Sequence, residues 1–423
     1  MRVLWITNVK VEKNVSDCKN FRGGWMVGAL EFLLNSEDVQ LAIAFPNGKE
    51  EDLKERNAIT YYSFYYDLES TAYDANLQRQ ILSLYQKYSP DIIHIWGTEY
   101  MHAYTATEAA KIMHLEKKVV INIQGMVSVY CKHYALGIEE LLKKRTLYEI
   151  VKKRGIKQQK DSFERRGEFE KKAIRNARHA VGRTNWDKAC VLQINPNIIY
   201  HYGGEIMRSP FYGSEAWNVN QCEKHTVFVS QAVYPIKGLH FLLDALAIIK
   251  QYYPDVIMNI AAENIFQKAS RLPFAGSQML LSTYERKLYK KIVYNHLENN
   301  ISFLGGLSAL QMKEQYLKAN VVVSASTIEN SSNSITEAML LGVPVVSSFV
   351  GGIPDLIEHK VNGFMYPCDE PYMLAYYVME LFSNDKMANN ISANARRCAR
   401  DRNDINNNGN ILLDTYKQVK CDE

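Results

Sequence analysis

No apolar run in this chain of 423 residues approaches the ~20 that a membrane-spanning helix needs. The opening Met1-Arg2-Val3-Leu4-Trp5-Ile6-Thr7-Asn8 turns polar too soon for a secretory signal and reads as a first core strand. The seven cysteines are odd in number and scattered, with no C-x-x-C pair. That pattern excludes a disulfide framework or a cysteine zinc site and points to a reducing, cytoplasmic setting. Ten histidines include no H-E-x-x-H and no H-x-H, and no D-x-D occurs that could hold a metal-bound diphosphate. Neither a metal ion nor a cofactor is expected. A nicotinamide-type G-x-G-x-x-G is missing after the first strand, and no repeat of solenoid period is present.

What is present is ordinary for a globular protein: 47% hydrophobic residues, 23% charged, and a net charge of +4. The charge is unevenly spread, with fifteen Lys/Arg against five Asp/Glu between Lys143 and Arg183. This stretch is either a solvated helical face or a surface that meets an anionic membrane, which would place the protein at the inner face of the plasma membrane. Nucleic acid is not an expected partner, because aromatics are not interleaved for stacking.

Short β-branched runs alternate with longer helical patterns, the signature of parallel sheets with crossover helices. Strands are expected at Val3–Thr7, Val39–Phe45, Asp91–Trp96, Val119–Ile123, His179–Gly182 and Ile198–His201, then at Thr226–Ser230, Val256–Ala261, Ile301–Leu304, Val321–Ser324 and Val343–Ser347. A long polar helical stretch from about Ala135 to Asn176 precedes His179. The fold class is therefore α/β, as two doubly wound units in series: residues 1–207, a linker at 208–224, and 225–390. Residues 391–423 form carboxyl-terminal helices that pack back on the first unit, with Asn406-Asn407-Asn408-Gly409 as a breaker before the last helix.

The most informative segment runs from Val321 to Val346. A buried strand breaks into Ala325-Ser326-Thr327-Ile328-Glu329-Asn330-Ser331-Ser332-Asn333-Ser334, then restarts as the helix Ile335–Leu341, which Gly342 stops. Glu329 and Glu337 bracket the loop. If the segment were wholly helical, they would stand about 12 Å apart along the axis, beyond the roughly 5–9.5 Å of a hydrolytic acid/base pair. Two binding roles fit better. A helix start at a strand's carboxyl end offers free amides and the positive dipole end, which suits a phosphate.

In Ser230-Gln231-Ala232-Val233-Tyr234-Pro235-Ile236-Lys237-Gly238-Leu239, a lysine precedes a helix start. That placement is unfavourable unless an anion lies between them, so Lys237 is a phosphate candidate rather than a loop lysine. In Phe21-Arg22-Gly23-Gly24-Trp25-Met26, paired glycines before a helix allow a backbone to approach a ligand closely.

These residues carry a resemblance. The Glu329–Glu337 segment, Gly342-Val343-Pro344, Gly351-Gly352-Ile353-Pro354-Asp355 and Asn362-Gly363-Phe364 resemble the carboxyl-terminal signature of glycosyltransferase family 4. Lys237-Gly238, Gly23-Gly24 and Pro90-Asp91-Ile92-Ile93-His94-Ile95 fall where that family has matching features. Val181-Gly182-Arg183-Thr184-Asn185-Trp186-Asp187 is similar to a branch among bacterial surface-polysaccharide transferases.

The resemblance implies a GT-B fold, two Rossmann-like domains facing across a cleft. It also implies retaining, metal-independent transfer from a nucleoside-diphosphate sugar to a glycan or lipid-linked acceptor. By the same resemblance, Glu337 holds the ribose hydroxyls, Glu329 lies beside the donor sugar, and amides around Asn333, Ser334 and Ile335 meet sugar and phosphate. Lys237 neutralises the departing diphosphate, and Gly24, with Gly23, approaches it from the first domain.

Two positions depart from the pattern. Gln231 or Ala232 stands where the family has an arginine, so Arg183 or Arg208 would have to supply that charge. Gln124 stands where a histidine is common. Gln124, Arg183 and Glu99, from loops of the first domain, are the acceptor-side candidates. A nucleotide-sugar epimerase, a glycogen-synthase-like enzyme or an inactive scaffold subunit on the same architecture is the alternative.

Overall fold

The computed structural model describes residues 1–12, 23–47, 54–56, 59–67, 70, 72–152, 154–266 and 280–422. Phe21, Arg22 and Cys18 lie outside the described residues. Fourteen described strands form two sheets.

In the first sheet β1 (Arg2–Ile6), β2 (Gln40–Asn47), β3 (Lys54–Arg56), β4 (Ile59–Tyr65), β5 (Ile92–Trp96), β6 (Val119–Asn122), β7 (His179–Gly182) and β8 (Ile199–Tyr202) lie in the order β3-β4-β2-β1-β5-β6-β7-β8. Every pairing is parallel except β3 with β4. The second sheet contains β9 (Thr226–Val229), β10 (Ile257–Ile260), β11 (Ile301–Phe303), β12 (Val321–Ser324), β13 (Val345–Ser348) and β14 (Phe364–Tyr366), all parallel, in the order β11-β10-β9-β12-β13-β14. The central strands are apolar without alternation because helices cover both faces; β5 and β9 are buried at every residue.

Each sheet is wound outward from its first strand, so the order reverses between β1 and β5 and again between β9 and β12. At such a reversal the following loops diverge and leave a crevice beyond the strands' carboxyl ends. The β9 and β12 loops are the two that carry Lys237 and Glu329.

Three strands escaped the sequence reading. β4 (ITYYSFY) is rich in tyrosine, and its half-buried pattern lacks a clean apolar run. β3 and β14 are three residues each, below the length at which periodicity can be read. The expected helical stretch from Ala135 to Asn176 is broken into a 3-10 turn at Glu139–Lys143, a short helix at Leu147–Lys152 and a long one at Ile156–Asn176. The break has a packing cause: Tyr134, Ala135, Ile138, Leu141 and Ile156 are buried in the second sheet's core cluster, so this segment leaves its own lobe to pack on the other.

The linker after Arg208 is pinned to the second lobe. The Trp217 amide donates to the Leu341 carbonyl at 2.8 Å, and the indole Nε1 donates to the Ala319 carbonyl at 2.7 Å. Helices Pro371–Ser383, Asp385–Arg402 and Ile405–Cys421 close the chain. The expected boundary at residue 390 falls inside the second of these, which packs on helix Asn333–Leu341; the crossing between lobes comes at Asn403–Asp404. Asn406–Gly409 does not break the chain but forms the first turns of the last helix, because the Asp404 side chain caps it by accepting from the Asn407 amide at 2.8 Å. That helix returns to the first lobe, burying Leu412, Tyr416 and Val419 against Val3, Trp5, Leu30 and Leu33.

Candidate active site

Between the lobes lies a cavity of about 530 Å³ lined by Gly24, Gln124, Arg183, Gln231, Lys237, Glu329, Asn333, Ser334 and Glu337, among others. Nine residues singled out from the sequence thus line one cavity, three from the first lobe and six from the second. Three do not. Gly23 is the turn residue preceding helix Gly24–Leu34, Ile335 points into the second lobe's core, and Glu99 sits behind the cavity wall.

Two glycines hold the key loops close together. Gly238 (φ +70°) follows Lys237 and ends a 3-10 turn; a Cβ there would fall 1.8 Å from the Ala325 carbonyl oxygen. Gly351 (φ +52°) presses on the Glu329 loop, and a Cβ there would meet the Glu329 carbonyl oxygen at 1.9 Å. Only glycine fits both the left-handed backbone and the close approach. The result brings the Lys237 Nζ within 2.7 Å of Glu329 Oε2, with Ser326 Oγ donating to the same oxygen at 3.3 Å. Burial pushes the Lys237 pKa down, but the Glu329 and Tyr234 charges outweigh it and hold the ammonium above its ordinary value.

Glu337 occupies the first turns of helix Asn333–Leu341 and is buried. Arg208 donates to its Oε1 through Nε at 3.0 Å and Nη2 at 2.5 Å, and Tyr316 donates to Oε2 at 3.3 Å. Burial pushes this carboxyl up, against the Arg208 charge. The helix is capped by Ser332, whose hydroxyl accepts from the Ile335 amide at 3.5 Å. The Ile335 amide meets this cap, while the first-turn amides of Asn333 and Ser334 are left without an intrahelical acceptor.

A third cation reaches in from the first lobe. Arg183, at the end of β7, forms an ion pair with Glu205 and donates to Asn333 Oδ1 at 3.4 Å and to Gln124 Oε1 at 3.1 Å. Burial pushes its pKa down against the pull of Asp187. Glu99 lies behind it, its carboxyl raised by burial despite the opposing charges of Arg166 and Arg183. Of the two residues that stand where the resemblance calls for an arginine, Gln231 lines the cavity as an exposed amide and Ala232 is buried. Arg208 comes from the linker instead, its Cδ 3.3 Å from where a Cβ on Gly24 would stand.

Sequence reasoning missed Glu205, Ser230, Trp25 and Tyr316. Ser230 and Glu205 had a usable signal, since both follow the carboxyl end of a strand; Tyr316, on a helix face, had none.

The family described as Glycosyl transferases group 1 matches residues 214–398. The matched segment includes both the Lys237 loop and the Glu329–Glu337 loop. An uncharacterized glycosyltransferase of Methanocaldococcus jannaschii is 29% identical over 200 residues, which is 47% of this chain and 46% of that protein. The chain spans 39–46% of the length of the first curated relatives it matches.

Among solved structures, sucrose-phosphate synthase from Thermosynechococcus elongatus superposes over 100% of both chains with a TM-score of 0.72 at 13% identity. Anabaena HepE in complex with UDP-glucose covers 99% of this chain and 100% of its own, with a TM-score of 0.67 at 18% identity. At these identities the likeness shows the fold, which is GT-B.

Proposed function

We propose that this protein is a retaining, metal-independent glycosyltransferase that moves a sugar from a UDP- or GDP-linked donor to a glycan or lipid-linked acceptor in surface polysaccharide synthesis. The observation that carries this reading is the convergence of the Lys237 ammonium and the Asn333–Ser334 helix start on one interlobe cavity at the β9/β12 reversal. Its volume lies within the ~300–1,000 Å³ of small-molecule sites. That HepE, a neighbour of the same fold, is seen with UDP-glucose supports a nucleotide-sugar donor.

In this reading the sugar's anomeric carbon–oxygen bond breaks and leaves negative charge on the diphosphate. The acceptor hydroxyl attacks from the face the diphosphate leaves, and its proton passes to the leaving phosphate oxygen. Lys237, once it exchanges Glu329 for the phosphate, and the two amides meet the charge as it develops, so they stabilise the transition state more than the ground state. Arg208, beside Gly24, takes the place of the cation missing at Gln231. Glu337 exchanges its Arg208 contact for the ribose hydroxyls, and Glu329 faces the donor sugar.

A thermal-shift screen of nucleoside diphosphates and their sugars tests the donor. Saturation at 100 times the dissociation constant stabilises by about 2.7 kcal/mol, and the wild type should show this with one base in preference to others. If no nucleoside diphosphate raises the transition, the cavity is not a donor site and the proposal fails.

A further inference from the structure

Helix Leu147–Lys152 is amphipathic in reverse. Its carboxylate is inside: Glu149 is fully buried and accepts from the Thr283 amide at 3.0 Å, the Thr283 hydroxyl at 2.8 Å and the Thr146 amide at 2.9 Å. Its aliphatics are outside: Leu147, Ile150 and Val151, spaced i, i+3, i+4 along one helical face, are 69%, 54% and 78% exposed. Among the described residues only one other large aliphatic, Ile112, is more than half exposed. The contacts to Thr283 fix this orientation, so the apolar face is held outward.

Beside this face runs a groove of about 690 Å³, bounded by Glu140–Thr146 on one side and helix Thr283–Tyr294 on the other. It is lined by Lys144, Arg145, Arg286, Lys287, Lys290 and Lys291, against one carboxylate, Glu140. Lys287 pairs with Glu140 at 2.6 Å and Lys291 with Asp244. The other four cations have no carboxylate within ion-pair distance among the described residues. Tyr294, which also lines the groove, is the most exposed large hydrophobic side chain described, at 84%.

The long basic helix Ile156–Asn176 behaves differently. Lys157 and Lys171 pair with Asp161 and Glu168, while Arg166 and Lys172 lie over aromatic rings. At the amino-terminal end of the basic stretch, Lys144 and Arg145 line the groove beside the aliphatic face without such partners among the described residues.

We propose that this surface docks the protein on an anionic lipid bilayer. The cations meet phosphate headgroups, and Leu147, Ile150 and Val151 enter the acyl boundary, with Tyr294 at headgroup level. Charge complementarity selects this occupant, and three adjoining aliphatics suit hydrocarbon rather than nucleic acid, which would call for stacking rings. The inference goes beyond glycosyl transfer and does not depend on it.

Co-sedimentation with phosphatidylcholine vesicles, with and without phosphatidylglycerol, tests it on the full chain. Binding should require phosphatidylglycerol and weaken with salt. Neutralising Lys144, Arg145 and Lys290 together (K144Q, R145Q, K290Q) should lower partitioning about a hundredfold, near fivefold per charge. The Leu147→Ser, Val151→Ser double variant should lose binding at unchanged thermal stability, because both side chains are exposed. Donor-induced thermal shifts should be unaltered in both variants, which separates this test from that of the cleft.

Failure of the wild type to sediment with anionic vesicles would overturn the proposal, as would variants that sediment like the wild type. So would a concentration-dependent dimer in sedimentation velocity that the serine variant abolishes, which would assign the face to a second copy of the chain.

Discussion

The Lys237–Glu329 pair separates a structural role from a chemical one, because the two side chains are joined at 2.7 Å and largely withdrawn from solvent, at 18% and 14% exposure. Removing either partner strands the other's charge. Discounted for the remaining solvent contact, each of Lys237→Met and Glu329→Gln should cost about 2–3 kcal/mol of stability. For a lobe near 200 residues that is a fall of about 4–12 °C in the melting transition. The double variant strands no charge and should recover most of the loss.

Turnover should not follow stability. An ammonium aimed at a developing phosphate charge contributes about 3 kcal/mol to the barrier, so Lys237→Met should lower kcat about a hundredfold, and the double variant should stay at least as low. The assay is a melting curve and initial-rate donor consumption on all four proteins. A double variant that regains turnover along with stability would show that the pair only holds loops together. Wild-type kcat in Lys237→Met would refute the leaving-group role outright.

Gly351→Ala should displace the Glu329 backbone, costing about 2–4 kcal/mol in the denaturant midpoint and lowering kcat as well; a variant as stable as wild type would contradict the 1.9 Å approach. Tyr416→Phe should destabilise the first lobe by about 2–4 kcal/mol in urea, because it strands Trp5 Nε1, now 3.0 Å from the phenol, and His94 Nδ1, at 2.6 Å. Burial raises the Glu170 carboxyl from 4.5 to about 7, so the native state holds this proton more tightly than the unfolded chain. Stability should therefore fall as pH rises from about 4.5 through about 7, and Glu170→Gln should remove that slope in urea midpoints taken across the range. His179 and His240, pushed down to about 4 mainly by burial, act in the opposite sense: their contribution is present above the ordinary 6.5 and lost as pH falls below it. A wild-type profile with no difference from Glu170→Gln would remove the carboxyl from the account.

The two sheets were legible because each central strand is a short β-branched run closed by a polar loop, and a strand buried on both faces needs nothing else. The candidate residues came from the same logic: Lys237, Glu329 and Glu337 were singled out because each sits where a strand ends or a helix begins, and all three line the interlobe cavity. What stayed hidden depends on contacts distant in sequence. Arg208 meets Glu337 across 129 positions, Thr283 meets Glu149 across 134, and Tyr416 meets Trp5 across 411. No local periodicity encodes such pairs. Glu149 shows the limit most plainly: in sequence it is one acid in a basic polar stretch, and only the fold shows it buried and its aliphatic neighbours exposed.

The site is also electrically closed. Lys237, Arg208 and Arg183 each meet a glutamate, so the cavity's three cations face three carboxylates before any ligand arrives. A diphosphate bound as proposed would not be drawn by a bare positive field; it would compete with Glu329 and Glu337 for their partners. That competition favours a ligand carrying groups the freed carboxylates can accept from, as sugar and ribose hydroxyls do, over a simple phosphate of equal charge.

The loop between Glu329 and Asn333 is held from the other lobe as well. The Asn330 amide donates to the Tyr130 hydroxyl at 3.0 Å, its side chain accepts from Thr184 Oγ1 at 2.7 Å and donates to Asp187 at 3.0 Å, and Asn185 donates to Asp355 nearby at 2.8 Å. Asn330 is fully buried by these contacts. Parting the lobes would give its polar groups to water and release the loop that carries Glu329. The first lobe thus reaches the loop that carries Glu329 through Tyr130, Thr184 and Asp187, while the Lys237–Glu329 pair itself is set by the second lobe's Gly238 and Gly351.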